Sequence, residues 1–242
     1  MLVTLLLLAL ATSDAPKIVG GFSYRTIISD RTKSVKSAPA GYAPTWKQHV
    51  QIIVGTDPKD AQFSRLMRRE ARRAEDYDGD PCESFETCDS AGSADISEEL
   101  ISASPDLISI SISTGSYEAG MPHPHSDGVR NYIWSRRLHR TIKETDVFAR
   151  RPDRRLRQLA LAKFDNRAAI TNPDDPNGVA LDWSHASISR KGITWFYDSY
   201  ELGGYQSAGT ATINWSELKP YLHRKLPFAI DSIEAAPTRF AR

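Results

Sequence analysis

The sequence predicts an α+β protein, in which a mixed and mostly antiparallel sheet packs against a few helices. Three observations predict this class. Ile108, Ile110 and Ile112 alternate with serines, as in a strand that buries one face. Apolar residues recur at helical spacing between Asp60 and Asp76. The strand and helix patterns follow one another without the regular alternation that is typical of a parallel sheet.

The first half of the chain combines extended segments with one basic helix. Residues 16–42 predict an extended arm or an edge strand, and His49 to Val54 predicts a short strand. The helix predicted from Asp60 to Asp76 turns five arginines away from its apolar face, namely Arg65, Arg68, Arg69, Arg72 and Arg73. A solvated charged face is the simpler interpretation of these arginines than a binding surface.

Further elements follow along the rest of the chain. The acidic segment from Tyr77 to Glu99 predicts a surface loop, and Asn172 to Gly178 predicts a turn-rich loop. Arg154 to Phe164 predicts a second helix, because its leucines fall on one face. Gly192 to Asp198 and Thr210 to Trp215 predict two more strands.

Composition excludes some classes of function. The 242 residues fit one large domain or two small ones, and 40% apolar residues are enough for a core. The formal net charge of +1 gives the chain no general attraction for polyanions. We therefore expect no nucleic-acid partner.

The amino terminus predicts export. Leu2 to Ala11 is an apolar run, and small residues up to Ala15 suit a cleavage site, so residues 1–15 predict a signal peptide. No Lys or Arg precedes the run, and the alternative is a buried N-terminal strand or helix. About ten residues are too few to span a bilayer. We expect a periplasmic or secreted protein of a bacterial envelope without a transmembrane anchor.

The two cysteines of the sequence are Cys82 and Cys88. An even number of cysteines in an exported chain favours a disulfide between them. A metal site is the alternative, but two thiols without a neighbouring histidine make a poor zinc site.

Two motifs are similar to those of a known family. Tyr200-Glu201-Leu202-Gly203, followed closely by Tyr205, resembles the closing signature of the PdaC/RsiV-like family. The segment from Tyr117 to Pro124 resembles the histidine-containing turn of that family. The order and spacing of these pieces agree with the family over residues 100–222.

The resemblance implies a division of the chain into domains. Residues 16–119 would form a PdaC-like N-terminal domain, and residues 120–225 an RsiV-like C-terminal domain of unknown function. Residues 226–242 would form a tail. Domains of this kind occur in an anti-sigma factor that senses lysozyme and beside a peptidoglycan deacetylase domain.

The resemblance also implies a role and a set of residues. We expect a non-catalytic binding or sensing module of the cell envelope, which recognises a protein such as lysozyme or a glycan such as peptidoglycan. We expect no cofactor. The expected ligand-binding residues lie in the two motifs and are Tyr117, His123, Tyr200, Glu201 and Tyr205.

An enzyme acting on the cell wall is the alternative function. His123, His125 and Asp127 could meet a metal on an extended strand, or serve as an acid-base site for a hydrolase or deacetylase. Pro122 and Pro124 favour a turn, in which these side chains need not converge. The sequence contains no Gly-x-Ser-x-Gly motif. We therefore expect neither catalytic residues nor a metal site.

Overall fold

The computed structural model describes residues 10–34, 45–77, 92–118, 125–170, 172–197 and 208–237. Within these ranges the α-helices are α1 (Ala61–Tyr77), α2 (Glu144–Val147), α3 (Arg154–Ala162) and α4 (Trp215–Leu218). The strands are β1 (Leu10–Ser13), β2 (Lys17–Val19), β3 (Phe22–Ser34), β4 (Thr45–Gly55), β5 (Gly92–Ala103), β6 (Leu107–Glu118), β7 (His125–Ser135), β8 (Arg140–Thr141), β9 (Ala186–Ile188), β10 (Gly192–Tyr197), β11 (Gly209–Asn214) and β12 (Glu234–Ala235). None of the described helices is long and apolar enough to cross a membrane.

The predicted class is confirmed, because strands and helices are mixed and most strand pairs are antiparallel. The antiparallel pair of β3 and β4 runs in register from Tyr24 opposite Gly55 to Ser34 opposite Thr45. Strands β4 and β5 pair in parallel.

The chain forms two compact units, and each is discontinuous in sequence. Unit 1 consists of Met1–Pro16, Tyr24–Glu98 and Ser113–Gly128, and unit 2 of Lys17–Ser23, Glu99–Ile112 and Val129–Arg242. The long strands β5 and β6 contribute residues to both units. The predicted boundary between residues 119 and 120 lies outside the described residues and stays a prediction.

In unit 1, helix α1 packs against a sheet in the order β1-β3-β4-β5-β6. The predicted helix is confirmed: its residues Phe63, Leu66, Met67 and Ala71 are buried at helical spacing. Strand β3 pairs on both sides, with β1 and with β4, and is therefore not an edge strand. Leu10–Ser13 form β1, and cleavage of residues 1–15 as a signal peptide stays a prediction.

The predicted loop from Tyr77 to Glu99 is wrong at both of its described ends. Tyr77 belongs to α1, and β5 begins already at Gly92. Alternate residues of β5 are buried, namely Ala94, Ile96, Glu98 and Leu100. The acidic composition concealed this period-two pattern, because Glu98 occupies a core position where an apolar residue is usual.

Glu98 is a fully buried carboxyl group on the inner face of unit 1. One of its oxygens accepts the Ile53 N–H at 2.7 Å, and the other has no partner among the described residues. Burial raises the pKa of Glu98 to about 8, although the Ile53 hydrogen bond opposes this shift; the nearby Glu70 reinforces it. Glu98 is therefore mostly protonated at neutral pH.

Unit 2 contains the sheet order β5-β6-β7-β8 and a separate three-stranded sheet in the order β9-β10-β11. Polar contacts join the two sheets: Ser109 Oγ on β6 accepts the Ile188 N–H on β9 at 3.1 Å. Ser109 is fully buried for this reason, so the serine face of the predicted Ile108 strand is not wholly exposed to solvent.

Strand β10 is the centre of the core of unit 2. Its residues Ile193, Trp195 and Tyr197 are buried on one face, as the alternation predicts. Helix α3 packs beside β11, and Phe164 forms a bridge with Ala211. The predicted strand from Thr210 to Trp215 ends one residue early, because the Asn214 N–H donates to Glu217 and Trp215 begins α4.

Replacing Glu98 by Gln should remove a pH dependence of stability. The pKa of Glu98 is about 8 in the folded chain against an ordinary 4.5, so the folded state binds more protons between these values. The stabilising contribution is complete below pH 4.5 and is lost as the pH rises to about 8, by up to about 1.4 kcal/mol per pH unit. Urea denaturation from pH 4.5 to 8.5 should give a flatter curve for Glu98→Gln than for the wild type.

Asp95→Asn is the matched control, because Asp95 is an exposed carboxylate on the same strand. This control should keep the slope of the wild-type curve. Parallel curves for Glu98→Gln and the wild type would contradict the assignment of the proton to Glu98.

Candidate functional site

A cavity of about 480 Å³ lies in unit 2, between the end of α3, the end of β10 and the segment that connects them. Leu161, Ile170 and Val179 supply apolar wall. The polar side chains at the cavity are Asn172, Asp175, Asp182, His185 and Tyr197. The cavity therefore combines an apolar surface with several groups that form hydrogen bonds.

Tyr197 connects the cavity to the core. Its ring is buried and stands edge-on to Phe164, with 5.6 Å between the ring centroids. Its hydroxyl donates to the Ala180 carbonyl at 2.6 Å. The last residue of β10 therefore holds the connecting segment in place at the cavity wall.

The predicted turn-rich loop from Asn172 to Gly178 is confirmed, and it forms one wall of the cavity. The Asp175 N–H donates to the Asn172 carbonyl, and Asp175 Oδ1 accepts the Asn177 N–H at 2.7 Å. Gly178 has a φ of +69°, and a Cβ there would lie 2.3 Å from the backbone carbon of Arg157. Only glycine fits this close approach of the loop to α3.

Asp182 orders the opposite wall by capping a turn of 3-10 helix at Trp183–His185. Its Oδ1 accepts the Ser184 N–H at 2.8 Å and the Ser184 hydroxyl at 2.9 Å. Burial opposes ionisation of Asp182, but the Ser184 hydrogen bonds and the charges of His185 and Arg130 outweigh it. The pKa of Asp182 is therefore below its ordinary value, and the carboxylate is charged at neutral pH.

The chemistry of the cavity suits binding. The second carboxylate oxygens of Asp175 and Asp182 accept no hydrogen bond from the residues that the structure describes, so both can accept one from a ligand. Across the described ranges, no group of three or more His, Cys, Asp or Glu side chains could hold a metal ion.

Most of the residues expected from the family motifs cannot be related to this cavity. His123, Tyr200, Glu201 and Tyr205 lie outside the described residues, as do Cys82 and Cys88. Tyr117 is in β6. Of the alternative metal cluster, His125 and Asp127 are in β7 and His123 is outside the described residues. The roles expected for these residues stay predictions.

Sequence reasoning missed Asp182 and His185. The signal that could have found them is a helix-capping pattern: an aspartate stands directly before Trp183-Ser184-His185. The loop residue Asp175 lies in the predicted turn, but the sequence does not show which side chains the fold brings together around a cavity.

Comparisons with known proteins add evidence on the fold. No family model matches the sequence, and no curated protein matches it. Among solved structures, a member of the DUF3298 family from Bacteroides fragilis is similar with a TM-score of 0.58 and 14% identity. The similarity covers 86% of this chain and 96% of that one.

A DUF3298 family protein from Pseudomonas aeruginosa is similar with a TM-score of 0.55 and 16% identity. The similarity covers 82% of this chain and 94% of that one. At these identities the likeness shows the fold alone. The structural neighbours of the chain are therefore DUF3298 family proteins.

Replacing Tyr197 by Phe should destabilise the chain slightly. The change removes the hydrogen bond to the Ala180 carbonyl but keeps the ring and its contact with Phe164. A net loss of about 1 kcal/mol in the free energy of unfolding is expected. Urea denaturation measures this loss, and amide hydrogen exchange should become faster at residues 178–182.

Tyr132→Phe provides a comparison, because Tyr132 is half-buried in β7 of the same unit and does not line the cavity. Faster exchange at residues 178–182 should be absent from this variant. Unchanged exchange there in Tyr197→Phe would contradict the role of the hydroxyl in holding the segment.

Proposed function

We propose that the chain is a non-catalytic binding or sensing module of the bacterial cell envelope, exported to the periplasm or beyond. The ligand that we propose for the cavity of unit 2 is a segment of cell-wall glycan. The observation that carries the proposal is the combination of Tyr197, Asp175 and Asp182 at one cavity with apolar walls.

The size of the cavity supports a ligand of one or two sugar rings. Its volume of about 480 Å³ falls within the roughly 300–1,000 Å³ that is usual for small-molecule sites. A protein such as lysozyme would instead need a broad contact surface, of roughly 800 Å² on each partner. The cavity therefore favours a glycan over a protein as its occupant.

The chemistry of the wall supports a sugar in particular. A sugar ring presents apolar C–H groups on its faces and hydroxyl groups around its edge. Val179 and Ile170 suit the faces, while the carboxylates of Asp175 and Asp182 are strong acceptors for hydroxyl groups. Two carboxylates also disfavour an acidic sugar, because like charges repel, so a neutral sugar is the better match.

The resemblance to the PdaC/RsiV-like family supports the same setting. In that resemblance Tyr200, Glu201 and Tyr205 belong to the closing signature, and Tyr200 follows the cavity residue Tyr197 by three positions in the sequence. The neighbours of known structure are DUF3298 family proteins, which is consistent with such a domain.

Calorimetric titration of the chain with N-acetylglucosamine oligosaccharides and peptidoglycan fragments tests the proposal. We expect saturable binding with a Kd in the micromolar range. Ala180→Phe should weaken binding at least tenfold, which is about 1.4 kcal/mol, because Ala180 is exposed at the cavity and a larger side chain would fill it. Asp182→Asn should weaken it similarly while keeping the cap.

Asp174→Asn is the control, because Asp174 is in the same loop but its side chain is 90% exposed and does not line the cavity. Equal affinity of the wild type and both cavity variants would contradict the proposed site. Lysozyme is titrated in the same way. Binding of lysozyme without binding of any glycan would contradict the proposed glycan ligand and favour recognition of a protein.

A further inference from the structure

A second cavity, of about 320 Å³, lies in unit 1 and has the opposite electrostatic character. It is bordered by β3, by the turn that follows β4 and by the first two turns of α1. Arg25, Arg65 and Arg68 line it. Arg65 and Arg68 belong to the basic face of α1, for which a solvated surface is the simpler interpretation from sequence alone.

The fold explains why the three arginines meet. Ala61, Arg65 and Arg68 recur at helical spacing, so they share one face of α1. Arg25 of β3 is paired with Val54 of β4, and opposite residues of an antiparallel pair project from the same sheet face. Helix α1 packs against β4, so guanidinium groups from two elements border one concave surface.

A network of hydrogen bonds fixes the wall between them. Ser64 Oγ accepts the Gly55 N–H at 3.0 Å and donates to the Asp60 carbonyl at 3.1 Å. Asp57 Oδ1 accepts the Lys59 N–H at 3.0 Å, and Asp57 Oδ2 lies 3.0 Å from Lys59 Nζ. The turn that carries Gly55 and Asp57 is therefore held to the start of α1.

The arginines at this cavity differ from their neighbours on the helix. Arg69 and Arg73 contact the Glu70 carboxylate at 3.3 and 3.4 Å. Within the described part of the chain, Arg25, Arg65 and Arg68 contact no carboxylate. Among the described residues that line the cavity, only Asp57 carries a carboxylate, and its Oδ2 contacts Lys59 Nζ at 3.0 Å. Three guanidinium groups thus border the same space, and the carboxylate that lines it with them is paired with Lys59.

We propose that this cavity binds a phosphate-bearing anion. Guanidinium groups present planar pairs of N–H donors that match the oxygens of a phosphate group, often through two bonds at once. Gathering three of them around a concave surface is unfavourable for the folded chain alone, because like charges repel. An anion in the cavity would offset that repulsion and take up the donors.

The phosphate could belong to a soluble phosphate ester or to the head group of a membrane phospholipid. Both present the same anionic oxygens to Arg65 and Arg68. The cavity volume leaves room for a phosphate together with a small attached alcohol such as glycerol. The test therefore uses both sources with the same variants.

Titration of the full chain with inorganic phosphate and with sn-glycerol 3-phosphate, followed by NMR at constant ionic strength, gives the first arm. Saturable shifts at residues 54–68 are expected at millimolar concentration or below. Arg65→Gln and Arg68→Gln should each weaken binding about tenfold. Arg65→Lys should recover only part of the affinity, since an ammonium group lacks the paired donors.

The second arm is co-sedimentation with phosphatidylcholine vesicles that contain phosphatidylglycerol, using the same variants. Arg72→Gln is the control in both arms, because Arg72 is an exposed arginine of α1 outside the cavity. The site is supported if binding in either arm weakens about tenfold in Arg65→Gln and Arg68→Gln but not in Arg72→Gln. The arm in which binding occurs identifies the source of the phosphate.

Two results would overturn the proposal. One is the absence of binding in both arms, and the other is an equal loss of binding in Arg72→Gln, which would indicate general charge attraction. Melting temperatures should not fall, because all the substituted arginines are exposed and removing one of the positive charges relieves repulsion. The glycan titration concerns the cavity of unit 2, so the two proposals fail independently.

Discussion

Burial of one face of β10 is the constraint on which unit 2 depends. Ile193 and Trp195 fill the core, and hydrogen bonds from β9 and β11 flank the strand on both sides. Gly192 allows this arrangement, because a Cβ there would lie 2.0 Å from the Ile213 carbonyl oxygen. The same alternation brings Tyr197 to the end of the buried face, where it meets the cavity. The packing of β10 that forms the core thus also positions Tyr197 at the candidate site.

The two cavities make different demands on a ligand. Unit 2 presents carboxylates, an amide and an aromatic side chain beside apolar wall, which suits a neutral polar molecule. Unit 1 presents guanidinium groups around a turn that is tied to its helix, which suits an anion. In both units the polar groups stand on segments that the core or a hydrogen-bond network holds in place. Such ordering in advance lowers the entropy cost of binding.

Local patterns predicted the elements well wherever the buried face was apolar. The α1 helix and the Ile108 strand follow directly from the spacing of their side chains. Prediction failed where a polar residue occupies a core position, as Glu98 does in β5. It also failed for Asp182 and His185, since a cavity is assembled from distant segments. Spacing along the chain carries no information about such convergence.

The folded chain carries a proton on the buried carboxyl group of Glu98. Between pH 4.5 and about 8 the carboxyl group keeps this proton when folded and gives it up when it reaches water. Each unfolding event in that range therefore delivers up to one hydrogen ion to the surrounding buffer. The heat of unfolding then includes the ionisation heat of the buffer, and it will differ between phosphate and Tris solutions of the same pH.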